Sequence, residues 1–340
     1  MELLKIKNIL VTGGAGYIGS HTVVELLNKD YNVIIFDNFQ NSNPVVIDRI
    51  KKITNKSPML YHGDLLIKSD IENIFKKYKI NAVLHFAGLK SVKESVGNPL
   101  QYYTENFMTV LNLLKAMNEF NVYNLIFSSS ATVYDSKNRM PVNEGDRLET
   151  NNPYGRTKLY TEKILEDLVA SDKKWSISIL RYFNPIGAHP SGYIGEDPTG
   201  IPNNLFPYLL NVAIGKVKEL KVYGNDYDTP DGTGLRDYIH VTDLARGHIA
   251  ALEQLHGGID YFNMGTGSGY TVLEVINAFE KVSNIKIPFQ IVNRREGDIG
   301  ISYASVSYTR EKLKWVAEKD IYEMCRDSWN WQTKNPNGYQ

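Results

Sequence analysis

The stretch "NILVT" at residues 8–12 runs straight into "GGAGYIGSH", and this junction constrains the fold more than any other part of the chain. Branched apolar residues in a short run read as a buried strand. The glycines that follow give Gly14-x-Gly16-x-x-Gly19, and Gly13 adds the spacing Gly13-x-x-Gly16-x-x-Gly19. Placed between a strand and a helix, such a loop lets a pyrophosphate reach backbone amides with no Cβ in the way. That context weakens the competing reading, a glycine turn that binds nothing. "SHTVVELLNKD" (20–30) reads as the helix, with Val23, Val24, Leu26 and Leu27 facing inward, and "NVIIFD" (32–37) as the next strand. Asp37 ends that strand eighteen residues after Gly19. A carboxylate there bonds adenosine ribose hydroxyls and repels a 2′-phosphate, and no arginine follows in "DNFQNS", so the expected cofactor is NAD rather than NADP.

The alternation continues. "KSDIENIFKKY" (68–78) is expected to be a helix capped by Ser69, "AVLHFAG" (82–88) and "NLIFSSS" (124–130) to be strands, and 99–120 to be largely helical. A helix starting near "NNPYGRTKLYTEKIL", with Asn152 as cap and Pro153 in its first turn, precedes the strand "SISILRYFN" (176–184). Strands alternating with helices imply a parallel sheet covered on both faces. Beyond Asn184 the texture changes. Residues 185–204 and 224–234 are turn-rich, with a helix, "LFPYLLNVAIGK", between them, and "DLARGHIAALEQL" (243–255) is a further amphipathic helix. The expected fold is α/β: a Rossmann-type doubly wound parallel sheet over 1–184, with a smaller C-terminal α/β substrate domain over 185–340. Part of 236–262 is expected to return to the first domain.

Composition removes several function classes. Lysine plus arginine and aspartate plus glutamate each number 38, with a pI near 7.1, which argues against a broad nucleic-acid footprint but leaves room for a local anion site. Cys325 stands alone, so no internal disulfide forms, and the seven histidines lack ligand spacing, so no metal is expected. No apolar run reaches the roughly 20 residues of a membrane span, and no signal peptide is visible, so a cytoplasmic protein is expected.

Tyr154 and Lys158 lie four residues apart, which places them on one helical face whatever they do. Taken alone, they read as neighbours on a wet surface. Together with Thr12–Gly19 in T-G-x-x-G-x-x-G, their Y-x-x-x-K spacing resembles the extended short-chain dehydrogenases/reductases that act on nucleotide sugars. Within that family the chain is most similar to the UDP-hexose 4-epimerases. The stretches "VTGGAGYIGSHT", "HFAGLKSVKESV", "IFSSSATVY", "LRYFNPIGAHPSG", "GEDPTGIPNNL", "GNDYDTPDGTGLRDYIHV" and "RREGD" carry the likeness in order from residue 11 to 298.

The resemblance implies roles at matching positions. NAD contacts fall on Gly13, Gly16, Tyr17, Ile18, Gly19, Asp37, Asn38, Asn41, Ser42, Asp64, Leu65, Phe86, Ala87, Gly88, Lys90 and Asn106, with Tyr154, Lys158 and Phe183 near the nicotinamide. Ser130, Tyr154 and Lys158 are the implied catalytic set. The UDP-sugar is implied at Lys90, Ser130, Tyr154, Asn184, Asn204, Leu205, Val222, Tyr223, Arg236, Arg295, Asp298 and Ser302. The implied reaction oxidises the sugar at C4, lets the keto sugar turn, and reduces it on the other face, interconverting UDP-galactose and UDP-glucose in galactose metabolism. A phenol of pKa about 10 is a poor base, and a lysine ammonium with a positive nicotinamide ring is expected to lower it. Turning the sugar needs a loose hold on the hexose and a firm one on the diphosphate, which Arg236 and Arg295 would give.

Three rival readings differ at nameable residues or measurements. A dehydratase needs an acid after the serine strand, where this chain has Ala131 and Thr132. A net dehydrogenase would exchange its cofactor on every turnover, which only kinetics exposes. A non-catalytic NAD-binding regulator would tolerate a damaged Ser130, Tyr154 or Lys158, and all three are intact. The likeness weakens after "RREGD": Ser305 stands where the family commonly has Asp, and Ser302 where it has a bulky aromatic or a small residue against the sugar C2 substituent. A small residue there implies room for the N-acetyl group of UDP-GlcNAc or UDP-GalNAc. The family also pairs its helices equivalent to 99–120 and 153–169 between two subunits, which implies a homodimer.

Overall fold

The apolar runs of the first half become strands because each is flanked by turn residues and followed by an amphipathic helix that covers it. The computed structural model describes residues 7–198, 202, 204–295 and 297–340, so part of the turn-rich 185–204 stretch lies outside the described residues. In chain order the first elements are β1 (Asn8–Thr12), α1 (Tyr17–Asn28), β2 (Asn32–Asp37), α2 (Val45–Thr54), β3 (Met59–His62), α3 (Lys68–Lys77), β4 (Ala82–His85), α4 (Val92–Gly97), α5 (Pro99–Glu119), β5 (Asn124–Ser130), α6 (Pro153–Ser171) and β6 (Ser176–Tyr182). There follow β7 (Asn184–Ile186), α7 (Leu205–Ala213), β8 (Leu220–Tyr223), β9 (Leu235–Arg236), β10 (Tyr238–His240), α8 (Val241–Glu253), β11 (Gly258–Met264), β12 (Tyr270–Thr271), α9 (Val272–Ser283), β13 (Phe289–Val292), β14 (Ile301–Ser302), α10 (Ser307–Leu313) and α11 (Ile321–Lys334).

The seven-stranded sheet has the order β11-β6-β5-β4-β1-β2-β3, and β2, β1, β4 and β5 pair in parallel in that succession. This is the Rossmann-type, doubly wound arrangement. Its order reverses between β1 and β4, the place where open α/β sheets bind ligands. Ile9 and Val11 face one side of β1 and Leu10 the other, and all are at most 1% exposed, as a sheet covered on both faces requires. One face packs on Ile71, Ile74 and Phe75 of α3, Leu113 and Met117 of α5, and Leu165 and Val169 of α6.

Two compact units divide the chain. The first holds residues 1–133, 150–181 and 248–262; the second holds 134–149, 182–247 and 263–340. The division differs from a single cut near residue 184 in one respect not expected: the connection between β5 and α6 belongs to the second unit. The second unit is built from short pairings, β7 with β10, β8 with β13, and β12-β9-β14. Its core gathers Phe206 and Leu209 of α7, Val222 of β8, Phe279 of α9 and Met324 of α11. Cys325 sits in this core, where burial pushes its thiol up to about 12 and leaves it unreactive.

Two local expectations need correction. Helix α1 begins at Tyr17, directly after Gly16, and not at Ser20. Ser69 does not cap α3: the cap position is Ile67, so Ser69 is already helical. The tie at that helix end is the Asp70 carboxylate, which accepts the Asp64 N–H at 3.0 Å.

Candidate active site

Strand β1 delivers the chain into the glycine loop at the point of reversal. Gly13 has φ +68, and a Cβ there would lie 2.8 Å from the Ala87 nitrogen, so the loops after β1 and β4 touch through a hydrogen atom. A Cβ on Gly19 would meet the Gly13 oxygen at 2.2 Å. Gly16 caps α1 without a side-chain bond, and no acidic residue stands in the first turn, which carries Tyr17 and Ile18. No acidic side chain in the first turn of the helix therefore offsets the positive end of its dipole.

Asp37 closes β2 at 7% exposure. Its carboxylate accepts the Ala15 N–H at 2.9 Å, the Phe39 N–H at 2.9 Å and the Ser42 hydroxyl at 2.8 Å. A carboxylate offers about four lone-pair sites, so room for a further donor remains. Asn38 donates to Asp64 at 3.1 Å, and Leu65 is buried beside it. Asn41 is exposed. After β4 the loop Phe86–Lys90 is clamped by Asn106, which accepts from the Leu89 N–H at 2.8 Å and donates to the Leu89 carbonyl at 3.1 Å. Asn106 also donates to Thr157 on α6 at 3.0 Å, tying this loop to the helix that carries Tyr154.

Asn152 caps α6 by accepting the Gly155 N–H at 2.8 Å, with Pro153 in the first turn, as expected. Tyr154 bonds Ser130 at the end of β5. Ser130 Oγ accepts both the Thr132 N–H at 3.2 Å and the Thr132 hydroxyl at 3.0 Å. Its lone pairs are then used, so its own proton goes to the Tyr154 oxygen, which favours a phenolate. Thr132, expected only as a non-acid, sets Ser130 as a donor. Lys158 Nζ donates to the Ser128 carbonyl at 2.8 Å and lies 5.1 Å from the Phe127 ring centre and 6.0 Å from that of Tyr154.

The electrostatics of the chain alone set the starting point for the expected lowering of Tyr154. Tyr154 is not lowered in the chain by itself: burial pushes it up to about 12, with the Ser130 bond acting the other way. Lys158 is pushed down to about 8 by the same desolvation, against the attraction of Glu162. A nearby cation whose own charge burial disfavours is a weak counterweight to a buried phenol. His85 is pushed down to about 3, by burial first and then by Lys158, and shares a 2.8 Å bond with the Thr12 hydroxyl. It is therefore neutral at pH 7.

Several others of the expected site residues are placed within the second unit. Arg236 on β9 donates to Asp298 at 2.5 Å and to the carbonyls of Ile299 at 2.7 Å, Leu235 at 2.9 Å and Gly300 at 3.2 Å. Ser302 on β14 is its register partner. The Arg295 guanidinium lies 3.9 Å from the centre of the Tyr223 ring on β8, whose neighbour Val222 is buried. Asn184 opens β7, with its N–H on the Asp237 carbonyl, and Phe183 donates its N–H to Met264. Asn204 stands exposed at the cap of α7, and Leu205 is that helix's first residue. Asp237 was not anticipated. Fully buried, its carboxylate accepts from Thr266, Gly267 and Ala304, and it fixes the strands that present Arg236 and Ser302. The adjoining Arg236, expected at the site, was the available signal, because successive residues of an extended segment point to opposite sides.

A doubly wound sheet with a glycine-lined reversal point, a serine ending one strand and a Tyr/Lys pair on the helix that follows define a nucleotide-binding enzyme of the short-chain dehydrogenase/reductase type. The model of the NAD dependent epimerase/dehydratase family matches residues 9–265, and the chain belongs to that family. It is 52% identical to the UDP-glucose 4-epimerase of Bacillus subtilis over 334 residues, covering 98% of both chains. It is 50% identical to the human UDP-glucose 4-epimerase over 342 residues, again covering 98% of each. Its structure resembles that of the UDP-glucose 4-epimerase from Bifidobacterium longum in complex with NAD+ and UDP, with a TM-score of 0.95, 52% identity, and coverage of 98% of this chain and 100% of that one. Among the described residues no helix is long and apolar enough to cross a membrane.

Proposed function

We propose that this chain interconverts UDP-galactose and UDP-glucose by oxidising and re-reducing the sugar at C4, as a cytoplasmic step of galactose metabolism. The observation that carries this reading is the desolvated Tyr154, bonded to Ser130 and followed one turn later by Lys158, in a chain that matches UDP-glucose 4-epimerases end to end. The first unit's residues fit NAD. Gly13 and Gly19 leave no space for a Cβ, α1 offers an uncapped N-terminus for a pyrophosphate, and Asp37 keeps an acceptor site for a ribose. When bound, NAD supplies the transient oxidation at C4 and its reversal, together with a positive charge that favours a phenolate.

The chain's own residues handle the proton. Tyr154 takes the proton of the 4-hydroxyl and returns it, and Ser130 donates to the phenolic oxygen while it is charged. Lys158, fixed on the Ser128 carbonyl, adds favourable potential when protonated. The second unit holds the nucleotide through Asn184, Asn204, Leu205, Val222, Tyr223, Arg236, Arg295 and Asp298. The internal bonds of Arg236 support this role, because a guanidinium already oriented loses little freedom on meeting a phosphate. The first unit is thus the NAD-binding part and the second the UDP-sugar-binding part.

Purified protein incubated with UDP-galactose and no added cofactor is expected to form UDP-glucose without net NADH. Inactivity, or NADH released in proportion to product, would overturn the assignment. Ser302 has a small side chain, so UDP-GalNAc is expected to be converted to UDP-GlcNAc in the same assay. No conversion beside brisk UDP-galactose turnover would remove that extension.

The proposal includes a homodimer through α5 and α6. Leu100 at 81% exposure, Met108 and Tyr160 leave apolar surface on these helices. Light scattering is expected to give twice the chain mass of 38.6 kDa. A monomer mass at working concentration would exclude the dimer.

A further inference from the structure

Helix α6 carries Tyr154, Lys158 and Glu162 at intervals of four, and the end of β5 carries three consecutive serines. Three rungs join the two rows, though not in sequence order. Ser130 bonds Tyr154, the Ser128 carbonyl accepts from Lys158 at 2.8 Å, and Ser129 Oγ donates to Glu162 at 2.5 Å. Arg181 on β6 closes the third rung, donating to Glu162 from Nε at 3.1 Å and from Nη2 at 2.7 Å. The pair is withdrawn from water, at 0% side-chain exposure for Glu162 and 2% for Arg181. The Arg181 guanidinium also lies 4.8 Å from the centre of the Tyr261 ring.

A buried ion pair is a poor source of stability, since desolvating two ions consumes most of their attraction. Its position does suggest a use. Glu162 stands one turn beyond Lys158 and attracts it, working against the burial that disfavours the ammonium.

We propose that Glu162, held by Ser129 and Arg181, is a positioning residue that locks the serine strand against α6 and supplies the counter-charge for Lys158. The proposal rests on the reading of Tyr154, Ser130 and Lys158 as the reacting set and assigns the group behind it. Four titratable or charged groups bear on Lys158. Tyr154 and Glu162 share its helix, His85 ends β4, and Arg181 on β6 compensates Glu162. His85 is neutral above about pH 3, so Glu162 is the anion that sustains the ammonium.

The test is Glu162→Gln, which keeps the size and the hydrogen-bond acceptor but removes the charge. The NMR titration midpoint of Lys158 Cε, which burial already lowers in the parent, is expected to fall further by about half a pH unit or more. The alkaline limb of kcat should move down with it, with kcat about 3- to 10-fold lower at pH 8.5 and KM for UDP-galactose within about twofold. Glu162→Asp, which retains the charge, should restore most of the midpoint. An unchanged Lys158 midpoint in Glu162→Gln overturns the proposal, because a carboxylate that only braces the strand would leave that midpoint where it is.

If Glu162→Gln does not fold, the double variant Glu162→Gln with Arg181→Met decides, since replacing both members of a buried pair is often tolerated. Since losing the Arg181 cation by itself raises the Lys158 midpoint, the reference is Arg181→Met alone: the double variant should titrate below it, and an equal midpoint overturns the proposal. If the parent itself fails to turn over UDP-galactose, the functional reading falls, while the Lys158 titration still judges Glu162.

Discussion

Tyr154→Phe is expected to lower kcat for UDP-galactose about 10²- to 10⁴-fold, the range that one positioned acid–base group contributes. Bound NAD per chain should stay at the parent level. Phenylalanine keeps the ring, the helix start at Pro153 and the Asn152 cap, so the local fold has no reason to move. The hydroxyl it removes bonds Ser130, which retains both Thr132 donors. The loss should therefore cost no more than about 1 kcal/mol of stability, an ordinary hydrogen bond. The measurements are steady-state epimerisation, NAD released on denaturation, and a thermal melt. Activity within tenfold of the parent would remove Tyr154 from the chemistry. Loss of NAD together with activity would instead show that the phenol serves to hold the cofactor.

Gly19→Ala should act on the other half of the site. The added Cβ would lie 2.2 Å from the Gly13 oxygen and 2.9 Å from the Gly14 Cα, both backbone atoms without a flexible end to yield. The start of α1 must then back away from the loop, and its amides leave the position a pyrophosphate would use. NAD retention is expected to fall at least about 100-fold, on the order of 3 kcal/mol. Epimerisation without added cofactor should disappear. Gly145→Ala, where nothing lies within 4 Å of the new Cβ, is the matched control and should behave as the parent. Full NAD content in Gly19→Ala would mean that the glycine loop is not the pyrophosphate site.

What could be read from the chain beforehand was what local chemistry decides. The bounds of β1 and β2, the Asn152 cap and the strand-end placement of Asp37 depend on residues within a few positions of each other. The failures are non-local or hinge on small differences in chain path. Ser69 looked like a cap until the extended residue before the helix turned out to be Ile67. The lowering of Tyr154 was expected from its lysine together with the nicotinamide charge; in the chain by itself, burial by distant residues is the larger influence and raises it. Asp237 and Arg181 carry no motif; their importance comes from being enclosed. Glu162 does carry a local signal, since it continues the four-residue interval of Tyr154 and Lys158 by one more step.

The interleaving of the two units bears on how the chain is made. The sheet is completed only by β11, which ends at Met264, although β6 ends at Tyr182. During synthesis from the N-terminus, β6 therefore emerges about eighty residues ahead of the strand that will flank it. All seven of its residues are buried in the finished fold. For that interval the nascent sheet has an open, apolar border, the kind of edge that invites pairing with other chains. A chain interrupted between the two strands would retain its glycine loop, Asp37, Ser130, Tyr154 and Lys158 and still present that border. The first unit therefore cannot be released as a free-standing fragment simply by ending translation near residue 184.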